Sequence, residues 1–388
     1  MIRILACLVI LSTGLFGYAN KNELKPFHIK WIVPIAKKIP CLESIIKAPN
    51  TVQGCIPWDL KERVGVAYDA LAGLVYTGGS DGKLHVFYAE NGKLKTSISL
   101  DGKLIARPII DKEQMYLGTS QGFLLSVNLK DLSFAWKTRL DSEIQESFTL
   151  NNNTLYVVTG LLTIYAIDSK NGAIKWVKKR GSPSGLFLRK LSSPLLYNGI
   201  LAIGSPFGYL EFYDAGFGNI INRIMVSNAT EPFLDVAATP VLSGANVIAA
   251  SFNKGIVALN SKSAAQEWLV QELEISQLLA YEDTVFAAGA KKIIALDGKS
   301  GKILWRFLFD TGSPTMLLVK DGMLIFGSDK DSLFVLDRQS GKPLEYIGSN
   351  LGFSSDIVIY KENLFTVSSV GYLYRLSTDF KGRVHKEH

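Results

Sequence analysis

The fold of this chain is decided by the stretch Ile293-Ile-Ala-Leu-Asp-Gly-Lys-Ser-Gly-Lys-Ile-Leu-Trp305. Its first four residues form a short apolar run, which is typical of a buried strand. Asp297 can accept hydrogen bonds from the backbone of a turn, and Gly301 can adopt the positive φ that a return turn often needs. Ile303 and Trp305, two residues apart, are then expected on one face of the returning strand. A single hairpin cannot bury a tryptophan, so the stretch predicts a hairpin that stacks on copies of itself.

Copies of this hairpin recur along the chain. Asp168, Gly172 and Trp176 keep the spacing, whereas Asp337 and Gly341 keep the turn without the tryptophan. The copies that begin at 128 and 260 keep a tryptophan, as Trp136 and Trp268, and weaker copies begin at 88, 214 and 377. The eight first positions are separated by 40, 40, 46, 46, 37, 40 and 40 residues. Such steps, with strand-type content, predict an all-β fold: an eight-bladed β-propeller of four-stranded antiparallel blades.

The ends of the chain suggest how the ring closes. The last repeat runs out of chain before its outer strand, whereas a strand centred on Trp31 precedes the first repeat. We therefore predict that the N-terminal strand near Trp31 completes the eighth blade. The predicted organisation is a signal peptide at 1–19, the closing strand and a cysteine loop at 20–60, the propeller at 61–380, and a basic tail at 381–388.

The first 19 residues have the pattern of an export signal. Arg3 supplies the positive start, an apolar run follows, and Gly17-Tyr18-Ala19 is a small-x-small cleavage site. The alternative is an uncleaved membrane anchor, although the run is short for a span of about 20 residues. We predict that the mature chain is exported and soluble.

Two cysteines, Cys41 and Cys55, remain after this segment and precede the first blade. In an oxidising compartment they could form a disulfide that closes a 15-residue loop, worth about 3 kcal/mol on a chain-entropy estimate. The alternative is two buried free thiols. Neither cysteine has the spacing or the histidine neighbours of a zinc or redox site.

Proline and glycine mark two strands of several blades. Pro108, Pro194, Pro240 and Pro314 each precede a short apolar run, and proline suits the first residue of a strand because it lacks the N–H group. We read these prolines as entries to innermost strands. Glycines that end later apolar runs are predicted to lie in second strands, where a missing side chain lets blades approach: Gly118, Gly204 and Gly327.

Two lengthened loops distinguish consecutive repeats. From Trp176 to Pro194 and from Asn222 to Pro240 the chain runs 18 residues, against 9 from Trp305 to Pro314. Loops of one class emerge on one face of a propeller, so these two are expected to be neighbours on a binding face. They carry apolar anchors beside charges, which is the composition of a protein-interaction hot spot: Leu186, Phe187, Leu188, Arg189, Phe233 and Asp235. The alternative is that the apolar residues fold back and cap the blades.

The distribution of charge and of histidine argues against several classes of function. The net charge is +7, but the basic residues are spread over the repeats, so we expect no nucleic-acid partner. The four histidines are scattered, at 28, 85, 385 and 388, so no imidazole cluster supports a metal or a Ser/His pair. Asp168, Asp297 and Asp337 stand at turn positions, where hydrogen bonding to the turn explains them. We therefore expect a protein without catalytic residues, metal or cofactor.

Two sets of residues resemble known propellers. The pattern Ala295-x-Asp297-x-x-Ser300-Gly301-Lys302-x-x-Trp305 resembles the tryptophan-docking repeat of quinoprotein-type propellers, which implies that each Trp packs between blades. Leu186-Phe-Leu188-Arg189 resembles the Leu-x-Leu-Arg stretch of the BamB family, and Asp235-Val-Ala-Ala-Thr-Pro240 resembles its Asp-Val-Asp-Thr-Thr-Pro stretch. In the second stretch Ala237 replaces the family's second aspartate.

The resemblance implies a non-catalytic periplasmic scaffold of outer-membrane protein assembly. In that family these stretches bind the periplasmic domains of BamA, the barrel-forming subunit, so the expected partner is a BamA-like protein. The family is usually lipid-anchored through a cysteine after the signal, whereas Ala19 is followed here by Asn20. We therefore expect no lipid anchor, only indirect contact with the outer membrane, and a monomer within a hetero-complex. The alternatives are a quinoprotein-like propeller with a small ligand or cofactor, and an adaptor in another exported complex.

Overall fold

The computed structural model describes residues 16–18, 28–35, 64–181, 191–310, 312–348 and 352–378. These residues form thirty-three strands and no helix. Accordingly, the described part of the chain contains no helix long and apolar enough to cross a membrane. The all-β class predicted from the repeats is confirmed.

The strands follow one another in groups of four. Two strands precede the groups, β1 (Phe16–Tyr18) and β2 (His28–Pro34). Blade 1 contains β3 (Val66–Asp69), β4 (Leu74–Gly78), β5 (Lys83–Tyr88) and β6 (Leu94–Ser99), and blade 2 contains β7 (Ile109–Asp111), β8 (Gln114–Gly118), β9 (Phe123–Asn128) and β10 (Phe134–Arg139). Blade 3 contains β11 (Thr149–Asn151), β12 (Thr154–Val158), β13 (Thr163–Asp168) and β14 (Ile174–Lys179), and blade 4 contains β15 (Leu195–Tyr197), β16 (Ile200–Gly204), β17 (Tyr209–Asp214) and β18 (Ile220–Met225).

The second half of the ring repeats this order. Blade 5 contains β19 (Val241–Ser243), β20 (Asn246–Ser251), β21 (Gly255–Asn260) and β22 (Gln266–Val270), and blade 6 contains β23 (Ile275–Tyr281), β24 (Thr284–Gly289), β25 (Lys292–Asp297) and β26 (Ile303–Leu308). Blade 7 contains β27 (Pro314–Lys320), β28 (Met323–Ser328), β29 (Ser332–Asp337) and β30 (Pro343–Gly348). Blade 8 contains β31 (Val358–Tyr360), β32 (Asn363–Val367) and β33 (Tyr372–Ser377), joined by β2. Eight sheets of four antiparallel strands confirm the predicted blade number. The sheet of blade 6 has one additional strand, because β1 pairs in parallel with β26.

The eighth blade is completed by the N-terminal strand. β2 pairs antiparallel with β33, from His28 opposite Ser377 to Pro34 opposite Tyr372. The order β2-β33-β32-β31 places β2 at the outer edge of the blade. The two ends of the repeat array are therefore joined by backbone hydrogen bonds, as predicted from Trp31.

The hydrophobic core is divided among the junctions between blades. Eight buried clusters each combine residues of two neighbouring blades, and the eighth joins blade 8 to blade 1 through Val66, Val75, Phe365 and Val367. Second strands such as β4 and β20 are buried along their whole length. Each blade is thus stabilised by both of its neighbours.

Proline and glycine occupy the predicted positions in the blades. β7, β15 and β19 begin one residue after Pro108, Pro194 and Pro240, and β27 begins at Pro314. Gly118, Gly204 and Gly327 lie in second strands. A Cβ added at Gly204 would lie 1.9 Å from the carbonyl oxygen of Val236, so glycine is required for this approach of blades 4 and 5.

One local expectation is wrong, because Ile303 and Trp305 do not share a face. Trp305 pairs with Ala295 and Ile303 pairs with Leu296, so a β-bulge at residue 304 separates them. Ile303 packs against the core between blades 5 and 6, whereas Trp305 is buried between blades 6 and 7. The same register shift occurs in seven other fourth strands, including β14 and β2. A bulge inverts the alternation of side chains along a strand. A sequence pattern with a period of two does not reveal where such a bulge occurs.

Candidate functional site: the docking turns and the loop face

The repeated aspartates stabilise the turns between third and fourth strands. Asp297 accepts hydrogen bonds from the backbone N–H (2.7 Å) and the hydroxyl (2.6 Å) of Ser300, and Asp337 does the same with Ser340. Asp168 accepts one from the N–H of Lys170 at 2.9 Å. The Ser300 hydrogen bonds hold the pKa of Asp297 below its usual range, and the Lys170 hydrogen bond lowers the pKa of Asp168.

Tryptophans of the fourth strands dock on these turns in the next blade. Each indole Nε1 donates to a turn carbonyl: Trp136 to Ser169 (3.0 Å), Trp176 to Ala215 (3.0 Å), Trp268 to Gly298 (3.3 Å), Trp305 to Arg338 (3.0 Å) and Trp31 to Ala89 (3.1 Å). The ring lies against the turn glycine, which is Gly172, Gly218, Gly301, Gly341 and Gly92 in the same order. These contacts join each blade to the next.

The connections between blades share one face, which we call the loop face. It carries the connections from fourth to first strands and the turns between second and third strands. The first loop spans residues 180–194 and the second loop spans residues 226–240. The described ends of the first loop, 180–181 and 191–194, and the second loop lie on either side of the turn at 204–209 in blade 4. Leu186, Phe187, Leu188 and Arg189 lie outside the described residues, as do Cys41, Cys55 and the tail at 381–388.

The second loop is held in place by Asn253. The Nδ2 group of Asn253 donates to the carbonyls of Asn228 (3.0 Å), Glu231 (3.3 Å) and Pro232 (3.1 Å), and its Oδ1 accepts from the N–H of Asn228 (3.0 Å). Phe233 is half-buried, has a φ of 57°, and packs edge-on against Phe252 with centroids 5.8 Å apart. The loop is therefore built on the neighbouring turn of blade 5.

Asp235 does not have the exposure expected of a surface anchor. Only 1% of its surface is exposed, and its backbone carbonyl accepts a hydrogen bond from Phe252 at 2.9 Å. In this structure the carboxylate is therefore buried instead of lying at the surface. The sequence pattern placed Asp235 in the loop, but the packing of 234–240 onto blade 4 and blade 5 turns it inward. Partner binding by this segment stays a prediction.

A buried charge cluster includes Arg180, at the start of the first loop, and was not anticipated from the sequence. The side chain of Glu211 is completely buried and lies 2.8 Å from Nη2 of Arg223 and 3.4 Å from Nη1 of Arg180. The hydroxyl of Tyr213 donates to Glu211 Oε2 at 2.7 Å. Burial raises the pKa of Tyr213, and the neighbouring Glu211 raises it further. A glutamate within the otherwise apolar and aromatic run Tyr209–Tyr213 was the available signal.

The ring encloses an axial cavity of about 710 Å³. All eight blades line it, with hydroxyl side chains such as Ser147, Thr239 and Ser355. Arg107 of blade 2 reaches over it to Met316 of blade 7, with Nη1 4.0 Å from the sulfur. Within the described ranges, no group of three or more His, Cys, Asp or Glu residues could hold a metal ion.

These observations define the class of protein: an eight-bladed β-propeller with tryptophan-docked blades and an enlarged loop face. The family model described as outer membrane protein assembly factor BamB matches residues 128–281 and 277–344, which together exceed half of the chain. The chain belongs to this family.

Individual relatives agree with the family but align over limited lengths. The BamB of Legionella pneumophila is 28% identical over 185 residues, 45% of either chain, and that of Shewanella oneidensis is 31% identical over 174 residues, 42% of either chain. The BamB of Yersinia pestis is 22% identical over 271 residues, 67% of this chain and 68% of the relative. The chain thus spans about half the length of the first two relatives.

Solved structures share the fold. The crystal structure of BamB from Moraxella catarrhalis superposes with a TM-score of 0.70 at 16% identity, covering 83% of this chain and 98% of that chain. Sqt1 of Saccharomyces cerevisiae superposes with a TM-score of 0.69 at 11% identity, covering 82% and 96%. At such identities the similarity concerns the propeller alone.

Proposed function

We propose that this protein is a non-catalytic scaffold in the assembly of outer-membrane proteins. Its family, and the relatives named as assembly factors, support this assignment. The proposal requires the mature chain in the periplasm, held at the outer membrane by its partner. The predicted signal segment at 1–19 is consistent with that location.

The proposed partner is the barrel-forming subunit of the assembly machinery, bound through its periplasmic domains. The observation that carries the proposal is that the second loop and the described ends of the first loop, 180–181 and 191–194, flank the turn at 204–209 on one face. Further apolar surface lies on the same face, where Leu161 and Leu273 are 58% and 48% exposed. A rigid ring that presents two adjacent loops offers a preorganised surface, so little conformational entropy is lost on binding.

Within the first loop we assign the partner contacts to Leu186, Leu188 and Arg189, by resemblance to the family's stretch. Leucine anchors would enter an apolar groove of the partner, and Arg189 would pair with a carboxylate. Phe233 and the buried Asp235 would shape the adjacent second loop instead of supplying its main contacts.

The test measures binding of the purified mature chain to purified periplasmic domains of the barrel-forming subunit. Leu186→Ala combined with Arg189→Glu should weaken binding by roughly several hundredfold, since each of the two anchors is worth roughly 2 kcal/mol. The melting temperature should stay unchanged. The matched control, Leu71→Ala with Lys130→Glu, changes an exposed leucine and an exposed lysine on the opposite face and should bind like the wild type.

Absence of binding by the wild-type chain would overturn the proposed partner, and equal binding by both double variants would overturn the proposed loops. In the first case the axial cavity becomes the leading site, because it is large enough for a small organic ligand. Thermal-shift measurements with quinones and sugars would then test the alternative function.

A further inference from the structure

The second loop and the start of the first loop, at Arg180, are both fastened to one hairpin, the turn at 204–209 between β16 and β17. From the second loop, the N–H of Val236 donates to the carbonyl of Ser205 at 3.1 Å. The N–H groups of Val226 and Ser227 donate to the carbonyl of Gly208 at 2.9 and 3.2 Å. The second loop therefore leaves β18 and returns to β19 along this hairpin.

Arg180 fastens the start of the first loop to the same hairpin. It follows β14 directly, and its side chain is only 1% exposed. Nε donates to the carbonyl of Leu162 in blade 3, and Nη1 donates to the carbonyl of Gly204 in blade 4, each at 3.1 Å. The guanidinium thus joins blade 3 to blade 4. Its acceptor in blade 4, Gly204, directly precedes Ser205, to which the second loop is hydrogen-bonded.

Glu211 holds this guanidinium in place. A fully buried carboxylate is costly unless it is paired and hydrogen-bonded. Oε2 of Glu211 accepts hydrogen bonds from Tyr213 and Arg180, whereas Oε1 is ion-paired with Arg223 at 2.8 Å without a hydrogen bond from the described residues. Breaking a buried pair is strongly unfavourable, so the side chain of Arg180 has few alternatives to its observed position. The same residue also lines the narrow cleft between the loops, together with Asp235 and Pro206.

We infer that Arg180 is a positioning residue that fixes the second loop relative to the start of the first loop through Gly204 and Glu211. It acts beneath the proposed partner surface and needs no contact with the partner. The expected effect of Arg180 on partner binding rests on the proposed function, whereas its expected effect on the stability of the second loop does not. The arrangement couples both loops to one hairpin, so loosening one attachment should loosen the other.

The first measurement is amide hydrogen exchange in the isolated chain. Arg180→Met and the milder Arg180→Lys should speed exchange in the second loop, at Val236 and its neighbours. The expected change is about tenfold for Arg180→Met, the scale of losing one or two charge-assisted hydrogen bonds. Exchange in β28, on the far side of the ring, should stay unchanged. The matched control is Arg306→Met, which removes another cross-element pair, with Glu272, at 2.8 Å.

The second measurement is affinity for the same purified periplasmic domains. Both Arg180 variants should bind at least about tenfold more weakly, and Arg306→Met should bind like the wild type. Exchange that rises equally in β28 and in the second loop would show general destabilisation and would overturn the inference. Unchanged exchange in both Arg180 variants would also overturn it. If the wild type binds no partner but loop exchange rises locally, the proposed partner fails and the positioning role of Arg180 stands.

Discussion

Glycine meets two separate requirements at the docking turns. Gly301 has a φ of 72°, which is the left-handed region that side chains disfavour, and an added Cβ would lie 2.7 Å from the indole of Trp268. Gly322 has a similar φ of 80°, but an added Cβ would meet nothing within 4 Å. A comparison of alanine substitutions at Gly301 and Gly322 therefore separates the cost of backbone strain from the cost of contact with the tryptophan.

Gly301→Ala should destabilise the protein more than Gly322→Ala. The strain alone should lower the free energy of unfolding by about 1 kcal/mol at either position, and displacement of Trp268 should add about 2 kcal/mol at Gly301. Urea denaturation followed by tryptophan fluorescence measures both. Equal losses for the two variants would show that the docked indole yields to a methyl group at no cost.

At the scale of a single element, β2 carries the closure of the ring. Its side chains contribute to both junctions of blade 8, since Ile32 packs with the core between blades 7 and 8, and Trp31 and Val33 with that between blades 8 and 1. Removing the strand would expose the edge of β33 and uncover both cores.

A chain that begins at Lys37 should therefore melt well below one that begins at Lys25 and keeps β2. The expected drop is roughly ten degrees or more, because several kcal/mol of packing and six paired residues are lost. Differential scanning calorimetry of the two chains makes the comparison. Equal melting temperatures would mean that the non-covalent closure contributes nothing to stability.

At the scale of the whole molecule, repeated turn carboxylates link stability to pH. Burial by itself would raise the pKa of Glu272, but hydrogen bonds from Arg306 and Lys292 outweigh it and lower that pKa. Hydrogen bonds from the turns lower the pKa values of Asp168 and Asp297. A carboxyl group with a lowered folded-state pKa stabilises the native state above its unfolded pKa, and that contribution is lost as the pH falls through the folded pKa.

The melting temperature should thus fall as the pH decreases below about 4.5, the ordinary range of Asp and Glu side chains. Asp168→Asn with Asp297→Asn keeps oxygen acceptors for the turns but removes two titrating groups, so the acid-induced decrease should become smaller. Thermal melts between neutral and acidic pH compare this variant with the wild type. An identical pH profile would exclude these turns as a source of acid sensitivity.

The features that depend on neighbours along the chain could be predicted from the amino-acid sequence. The turn chemistry of Asp297, Ser300 and Gly301 involves residues within five positions, and its recurrence every forty or so residues defines the blade number. The incomplete last repeat and the strand at Trp31 together predicted the closure, because a propeller blade needs four strands. The lengths of the two loops likewise predicted that both belong to one face of the propeller.

The orientation of side chains on that face depends on packing between blades and could not be predicted from the sequence. Asp235 belongs to an expected surface segment, yet contacts with Ser205 and Phe252, outside its own loop, turn the segment inward. The bulge at residue 304 places Ile303 and Trp305 in different cores. Arg180 and Glu211 lie 31 residues apart and in different blades, so their pairing exists only once those blades pack. Repetition predicts local hydrogen bonds, whereas buried charge and loop attachment depend on contacts between blades, which no local pattern encodes.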